Sequence, residues 1–320
     1  VITSNDKANV ICLMGPTASD KTKMAVELVK RRPFQIISVD SAQVYRGMDI
    51  GSGKPDERTL AIAPHRLIDI QDPSHPYSAS EFREDVMAEI KAVLNEGDIP
   101  LLVGGSMLYF KVLRDGLADM PNADPQVRQE IEALAQKEGW KTVHQKLASV
   151  DPESAARIHP NDPQRLQRAL EVFLLSGKSM TELHKEKRQS RELSNLSLPV
   201  NLNFFAIQPL VRGTLYKKIE QRFFTMLKKG LVEEVQQLYQ RADLHPLLPS
   251  IKSVGYRQVW EYLDGGLDYD AMVEKSIIAT RQLAKRQLTW LRSWDNLRGL
   301  SDSSAKSIEI VLNYVDSISI

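Results

Sequence analysis

Val10-Ile-Cys-Leu-Met-Gly-Pro-Thr-Ala-Ser-Asp-Lys-Thr22 decides the fold. Val10 to Met14 read as a buried strand. The residues after it follow a phosphate-loop pattern: a first glycine, four free positions, a second glycine, then Lys and Ser or Thr. Gly15, Lys21 and Thr22 fit, but Asp20 stands where the second glycine belongs. In such a loop backbone N–H groups and a helix N-terminus cradle phosphate, the lysine reaches its oxygens and the hydroxyl holds Mg²⁺. Met24, Ala25, Leu28 and Val29 supply the apolar face of the helix that should follow. The candidate phosphate-binding set is therefore Gly15, Pro16, Thr17, Ala18, Ser19, Asp20, Lys21 and Thr22, with Thr22 as the Mg²⁺ ligand. Asp20 places a negative charge where an anion should lie, and two unit charges about 4 Å apart interact by roughly 4 kcal/mol at an effective dielectric near 20. Weaker anion binding is expected unless Lys21 or Mg²⁺ screens the carboxylate, or it turns outward or caps the helix.

Composition narrows the classes. At 320 residues with 42% hydrophobic content the chain can build about two ordinary globular cores. Forty-two Lys and Arg against 41 Asp and Glu leave a net charge of +1, so any nucleic-acid surface must be local. Cys12 is the single cysteine and lies in the first apolar run, which excludes an internal disulfide and suits a reducing cytosol. The first residues lack the pattern of a secretory leader and no run could span a bilayer, so a cytoplasmic location with no membrane association is expected. The six histidines, at 65, 75, 144, 159, 184 and 245, have no metal-ligand spacing, and no zinc site is expected.

The first hundred or so residues alternate apolar runs with amphipathic segments, the pattern of strand–helix units around a parallel sheet. Val10–Met14, Gln35–Val39, His65–Ile70 and Ile99–Val103 are the strand candidates. Ser78 and Glu81 form a capping-box signature before Phe82, Val86, Ile90 and Val93, and Gly97 marks that helix's end. From Pro121 to about Pro199 no strand is apparent. Asp162-Pro163 opens a helix with Leu166, Leu170 and Phe173 that Gly177 stops. His184 to Arg191 reads as polar and mobile. A strand returns at Val200–Ile207, followed by a helix carrying Leu215, Ile219, Phe223 and Met226 up to Gly230, and a long helix from about Tyr269 to Trp294 completes the pattern. The expected architecture is α/β: a P-loop parallel-sheet core with helices on both faces, formed by 1–120 and 199–320, with an all-helical insertion domain at 121–198.

Two further strand ends carry polar residues. Asp40, in Ile37-Ser-Val-Asp-Ser41, lies at the carboxyl edge of the sheet, where doubly wound folds keep their ligands. Its carboxylate can bind Mg²⁺ through water, act as a general base, or simply cap a turn. Gly104-Gly105-Ser106 allows close backbone approach and offers a hydroxyl, or is only a tight turn. Basic residues cluster at Arg165 and Arg168, at Lys252 to Arg257, and at Arg281, Lys285, Arg286 and Arg292. Such faces usually meet water, but with Tyr256 and Trp290 interleaved they also suit phosphates and bases of a folded RNA.

Together, Gly15–Thr22, Ser38-Val-Asp-Ser41, Tyr45-Arg-Gly-Met-Asp-Ile-Gly-Ser-Gly-Lys-Pro55, Leu102-Val-Gly-Gly-Ser-Met-Leu-Tyr109, Asp162-Pro-Gln-Arg-Leu166, Ser253-Val-Gly-Tyr-Arg257 and Thr280-Arg-Gln-Leu-Ala-Lys-Arg-Gln-Leu-Thr-Trp-Leu-Arg292 closely resemble the bacterial tRNA dimethylallyltransferases, also called tRNA isopentenyltransferases. The resemblance runs almost end to end. It implies transfer of a dimethylallyl group from dimethylallyl diphosphate to the exocyclic amine of the adenosine 3′-adjacent to the anticodon, with diphosphate released. The nucleotide-type loop would then hold a prenyl donor rather than ATP.

The resemblance further implies catalytic roles for Asp40, Lys21, Thr22 and Arg222, with Asp40 accepting the amine proton and possible water-mediated contact from it to Mg²⁺. The resemblance implies tRNA contact by Asp40, Ser41, Ala42, Gln43, Ser106 and Arg128. The same holds for Gln164, Arg165, Leu166, Gln167 and Arg168, for Lys252, Ser253, Val254, Gly255, Tyr256 and Arg257, and for Lys285, Arg286, Gln287, Leu288, Thr289, Trp290, Leu291 and Arg292. The insertion would grip the anticodon stem-loop, and no obligate protein partner is implied. Ser106 for the usual Thr, Gln43 for an apolar residue and Asp20 for Gly depart from the family pattern. Competing readings are an adenine-nucleotide prenyltransferase, a small-molecule kinase, and a tRNA-binding protein whose donor site Asp20 has impaired.

Overall fold

The computed structural model describes residues 7–194, 198–209 and 211–318; the leader reading of the first six residues lies outside them. The chain divides into two compact units, Val1–Asp115 with Leu198–Ile320, and Gly116–Ser197.

In the first unit, strand β1 (Ala8–Met14), helix α1 (Lys21–Val29), β2 (Phe34–Val39), α2 (Glu57–Ile62), β3 (His65–Arg66), α3 (Ala79–Asn95), β4 (Ile99–Gly104) and α4 (Met107–Asp115) alternate along the chain. The second unit contains α5 (Pro125–Glu138), α6 (Trp140–Val150), α7 (Pro152–Arg157), α8 (Pro163–Ser176) and α9 (Met180–Ser194). The first unit resumes with β5 (Val200–Ile207), α10 (Arg212–Lys228), α11 (Leu231–Tyr239), α12 (Tyr256–Leu263), α13 (Tyr269–Arg292), β6 (Arg298–Leu300) and α14 (Ala305–Ser317).

The six strands form one sheet in the order β3-β2-β4-β1-β5-β6, with every pairing parallel. Side-chain alternation along β1 divides the core. Val10, Cys12 and Met14 join α3, α4 and α10 to α13 on one face, while Ile11 and Leu13 join α1 and α14 on the other. A sheet covered on both sides needs strands that are apolar throughout, which is why β1 reads as a continuous apolar run. Burial pushes the Cys12 thiol well above its ordinary range, so it stays protonated and unreactive.

The α3 capping box is complete: Glu81 N donates to Ser78 Oγ at 3.2 Å and Ser78 N to Glu81 Oε2 at 2.7 Å. In α8, Arg165 N donates to Asp162 Oδ1 at 3.2 Å, and Gly177 closes the helix at φ 68°.

Three sequence expectations need correction. His65–Ile70 is a strand only over His65–Arg66, because Leu67 and Asp69 take left-handed backbone at φ 61° and 55°. His184 to Arg191, read as polar and mobile, is helical and lies within α9, opened by Ser179 N donating to Glu182 Oε2 at 2.7 Å. The helix from Tyr269 ends at Arg292 and does not complete the fold. It is followed by β6, which pairs with β5, and by α14, whose Ile308, Val311, Leu312 and Val315 pack on the α1 face.

Candidate active site

Met14 pairs with Gly104 in the β1–β4 register, and Val39 pairs with Gly104 in the β2–β4 register. The loops that follow these three strands therefore start side by side at one edge of the sheet. Close approach is enforced where they meet. A Cβ on Gly104 would lie 1.9 Å from Val39 O, and one on Gly105 would lie 2.5 Å from Gln287 Nε2. Ser106 ties two of the loops, since its Oγ accepts from Ser41 N at 2.9 Å and donates to Ser41 Oγ at 3.2 Å.

The phosphate loop contains two left-handed non-glycine residues, Ala18 at φ 60° and Asp20 at φ 62°. Alternation with left-handed residues turns successive N–H groups inward, which builds an anion cradle. Asp is among the residues that best tolerate this backbone, so the loop forms without the second glycine. Ser19 Oγ donates to Pro16 O at 2.8 Å and Lys21 Nζ to the same oxygen at 3.1 Å. Gln287 on α13 completes the frame: Thr17 N donates to its Oε1 and its Nε2 donates to Gly105 O, both at 2.9 Å.

Asp20 has a partner outside the loop. Its carboxylate is 43% exposed, makes no side-chain cap bond, and accepts from Lys218 Nζ on α10 at 2.5 Å. One turn further along α10, Arg222 is held against the Tyr45–Pro55 segment, where a Cβ on Gly53 would lie 1.9 Å from its Nη2. Arg222 makes no hydrogen bond or ion pair within 4 Å among the described residues. Burial pushes its guanidinium below the ordinary value, while Asp40 and Asp20 hold it up. Lys21 shows the same balance. Burial brings its ammonium down to about 8, Asp40 and Asp20 oppose that, and Arg222 adds to it. Lys21 and Arg222 are thus two buried cations beside the phosphate loop whose charge Asp40 and Asp20 offset only in part.

Asp40 accepts from Ala42 N through Oδ1 at 2.9 Å, which is the turn cap. Oδ2 has no hydrogen-bond partner among the described residues, so capping leaves one oxygen for chemistry.

Sequence reasoning missed the support of the Tyr45–Pro55 segment. Glu234 on α11 accepts from Asp49 N at 3.0 Å, Ile50 N at 2.7 Å and Gly51 N at 3.1 Å. The Tyr256 hydroxyl donates to Glu234 at 2.6 Å and accepts from Ser52 N at 3.2 Å. These contacts set Gly53, and Gln43 Nε2 donates to Gly53 O at 3.2 Å from the Asp40 side. Glu234 and Gly53 had only one usable signal, the glycine-rich run itself.

Several residues expected at an RNA surface turn inward. Leu288, Leu291 and Tyr256 are core residues, Gly255 is buried, and the Gln287 side chain is spent on the phosphate loop. In the second unit Leu166 is fully buried by its helical spacing, and Arg128 and Arg168 pair with the buried Glu171 carboxylate at 2.8 and 2.6 Å. Arg165 pairs with Asp162, Arg257 with Glu261, and Arg281 with Glu220. By contrast Lys252, Lys285, Arg286 and Arg292 are exposed with no ion pair among the described residues, and Trp290 is 37% exposed. Gln164 and Thr289 are also exposed; Gln167, Ser253 and Val254 are half-buried.

A cavity of about 410 Å³ lies elsewhere, lined by Leu67, Tyr77 and the acidic Glu81, Glu84, Asp85 and Glu89. Its charge is the wrong sign for a diphosphate or RNA. Among the described residues no group of three His, Cys, Asp or Glu could hold a metal, and no helix is long and apolar enough to cross a membrane.

Sheet order and loop together make this a phosphate-loop α/β protein. The sequence model for IPP transferases matches residues 43–294. The full-length tRNA isopentenylpyrophosphate transferase of Bacillus halodurans is 34% identical, with 97% of this chain and 96% of that one covered and a TM-score of 0.70. The tRNA Δ2-isopentenylpyrophosphate transferase of Staphylococcus epidermidis is 32% identical over 97% and 98%, with a TM-score of 0.67. A eukaryotic dimethylallyltransferase acting on tRNA shares the fold at 23% identity, covering 98% of this chain and 81% of that one, TM-score 0.76. The chain belongs to the IPP transferase family.

Proposed function

We propose that the chain transfers a dimethylallyl group from dimethylallyl diphosphate to the exocyclic amine of the adenosine 3′-adjacent to the tRNA anticodon. The observation that carries this reading is the grouping of a carboxylate with a free oxygen, Asp40, and two under-compensated cations, Lys21 and Arg222, around one anion cradle. The cradle binds the donor diphosphate. The amine nitrogen bonds to the allylic carbon as the carbon–oxygen bond breaks and the electron pair leaves with diphosphate. Lys21 and Arg222 stabilise the charge growing on that leaving group. Asp40 Oδ2 takes the amine proton, without which an amine delocalised into the adenine ring is a poor nucleophile.

The Thr22 hydroxyl, with Asp40 through water, would hold a Mg²⁺, an ion commonly bound by few protein oxygens together with substrate phosphates. Bound there, the ion would supply further neutralisation of the diphosphate.

The exposed Lys252, Lys285, Arg286 and Arg292 would meet RNA phosphates, and Trp290 would stack on a base once the adenosine leaves its stack. In the second unit the exposed Gln164 and Arg165, the latter in a surface pair with Asp162, would meet the anticodon stem-loop. Such a reaction belongs in the cytoplasm, where tRNA is modified.

Asp40→Asn keeps the turn cap but removes the base. It should lower kcat by roughly 10²–10⁴-fold with pyrophosphate affinity retained. An unchanged kcat would sink the role of Asp40.

A further inference from the structure

Asp20 gives this phosphate loop a negative charge that the family pattern lacks, and the fold places one cation directly on it. Lys218 Nζ lies 2.5 Å from Asp20 Oδ2, and both side chains are about half exposed, at 47% and 43%. Lys218 and Arg222 are four residues apart on α10 and share a face. One face of one helix thus sends Arg222 to Gly53 and Lys218 to the rim of the loop. Asp20 also raises the proton affinity of Lys21 and Arg222, so its charge reaches both cations of the loop while it pairs with Lys218. The Asp20 carboxylate makes no cap bond, so Lys218 is its one hydrogen-bond partner among the described residues.

We propose that Lys218 is a positioning residue for the prenyl donor: it neutralises Asp20 and holds that carboxylate turned away from the anion cradle, so that the loop binds diphosphate with an aspartate in the place of a glycine. The proposal rests on the reading of this loop as the donor site. Without Lys218 the carboxylate would be free to swing over the cradle and repel the ligand. An exposed pair contributes little to fold stability, so the effect belongs to ligand binding rather than to folding.

A double-mutant cycle separates this role from direct contact. The dissociation constant of inorganic pyrophosphate, with MgCl₂ present, is measured for the full chain and for Lys218→Met, Asp20→Gly and the double variant, together with KM and kcat for transfer to tRNA. Lys218→Met should weaken pyrophosphate roughly tenfold, which corresponds to about 1.4 kcal/mol. It should raise donor KM in parallel and leave kcat within about twofold. In the Asp20→Gly background the same change should alter binding less than about twofold, and Lys218→Arg should restore most of it. An equal loss in both backgrounds would show that Lys218 touches the anion itself and would overturn the proposal, as would no loss in either. Coupled pyrophosphate binding without any tRNA labelling by any variant would support the Lys218–Asp20 relationship while overturning the transferase reading.

Discussion

Gln287 holds Thr17: the backbone N–H of Thr17 donates to Gln287 Oε1 at 2.9 Å, while Gln287 Nε2 donates to Gly105 O at the same distance. The amide orientation follows from these partners, since only its oxygen can accept and only its nitrogen can donate. One side chain of α13 therefore fixes the spacing between the phosphate loop and the loop after β4. The neighbouring Lys285 and Arg286 face outward on the same helix. Gln287→Leu leaves both backbone groups without this partner, the Gly105 carbonyl in a buried place and the Thr17 N–H in a half-buried one. It should cost about 1–3 kcal/mol of donor binding, roughly five- to 150-fold in kcat/KM for the donor. Steady-state kinetics with varied donor checks it; a change confined to tRNA KM would count against it.

Burial brings Lys21 down to about 8, whereas a bound diphosphate would keep it charged. Proton loss above that value must therefore be reversed on binding. The loss of the Lys21 proton should weaken pyrophosphate binding by up to about tenfold per pH unit above pH 8, measured as the ratio of the dissociation constants of the parent chain and Lys21→Met, which share the ligand's own titration. Calorimetry in buffers of different ionisation enthalpy should show proton uptake above pH 8, and Lys21→Met should abolish it.

Gly53 is expected to behave as part of the site although it carries no functional group. A Cβ there would meet Arg222 Nη2 at 1.9 Å, and its φ of +65° already disfavours other residues. Gly53→Ala should displace the guanidinium and lower kcat by roughly 10²–10³-fold, the usual cost of losing one charge-stabilising donor. Arg222→Ala should match it, and the two changes combined should be little worse than either. Additive losses would refute the shared cause.

Much of the core was readable because its signals are local. The continuous apolar run of β1, the capping box of α3 and the Asp162–Gly177 frame of α8 each need only a few adjacent residues. The phosphate loop was readable for the same reason. The α14 helix was missed although Ile308, Val311, Leu312 and Val315 recur at helical spacing, a signal present and unused. β6 has three residues, too few to show a period. The Glu234 clamp on residues 49 to 51 and the Lys218–Asp20 pair join positions more than 180 apart in the chain. No periodicity encodes such contacts. Leu166 and Tyr256 show the opposite limit, because residues inside a functional motif can serve its packing instead of its ligand.

In the second unit, Glu171 sits fully buried between Arg128 and Arg168. Burial raises its proton affinity, but both guanidiniums and Asp124 N outweigh that and hold its carboxyl below the usual range. A depressed folded value means that the stability is present above the ordinary carboxylate range and is lost as pH falls through the folded value. Arg128→Met should cost about 1.5–3 kcal/mol at pH 7, and the difference from the parent chain should shrink in acid. Amide hydrogen exchange along α5 and α8 measures it. Unchanged protection at pH 7 would assign Arg128 to RNA alone.

Transfer itself is measured by incubating the chain with radiolabelled dimethylallyl diphosphate, Mg²⁺, unmodified tRNA and free adenine nucleotides, then mapping the label by nuclease digestion and separating the free nucleotides. Label should appear on one adenosine, immediately 3′ of the anticodon, and on none when Asp40 is replaced by Asn in the same short reaction. Label on AMP, ADP or ATP supplied alongside the tRNA, with the tRNA itself unmodified, or tRNA binding with no transfer even after Asp20→Gly, would contradict the transferase reading.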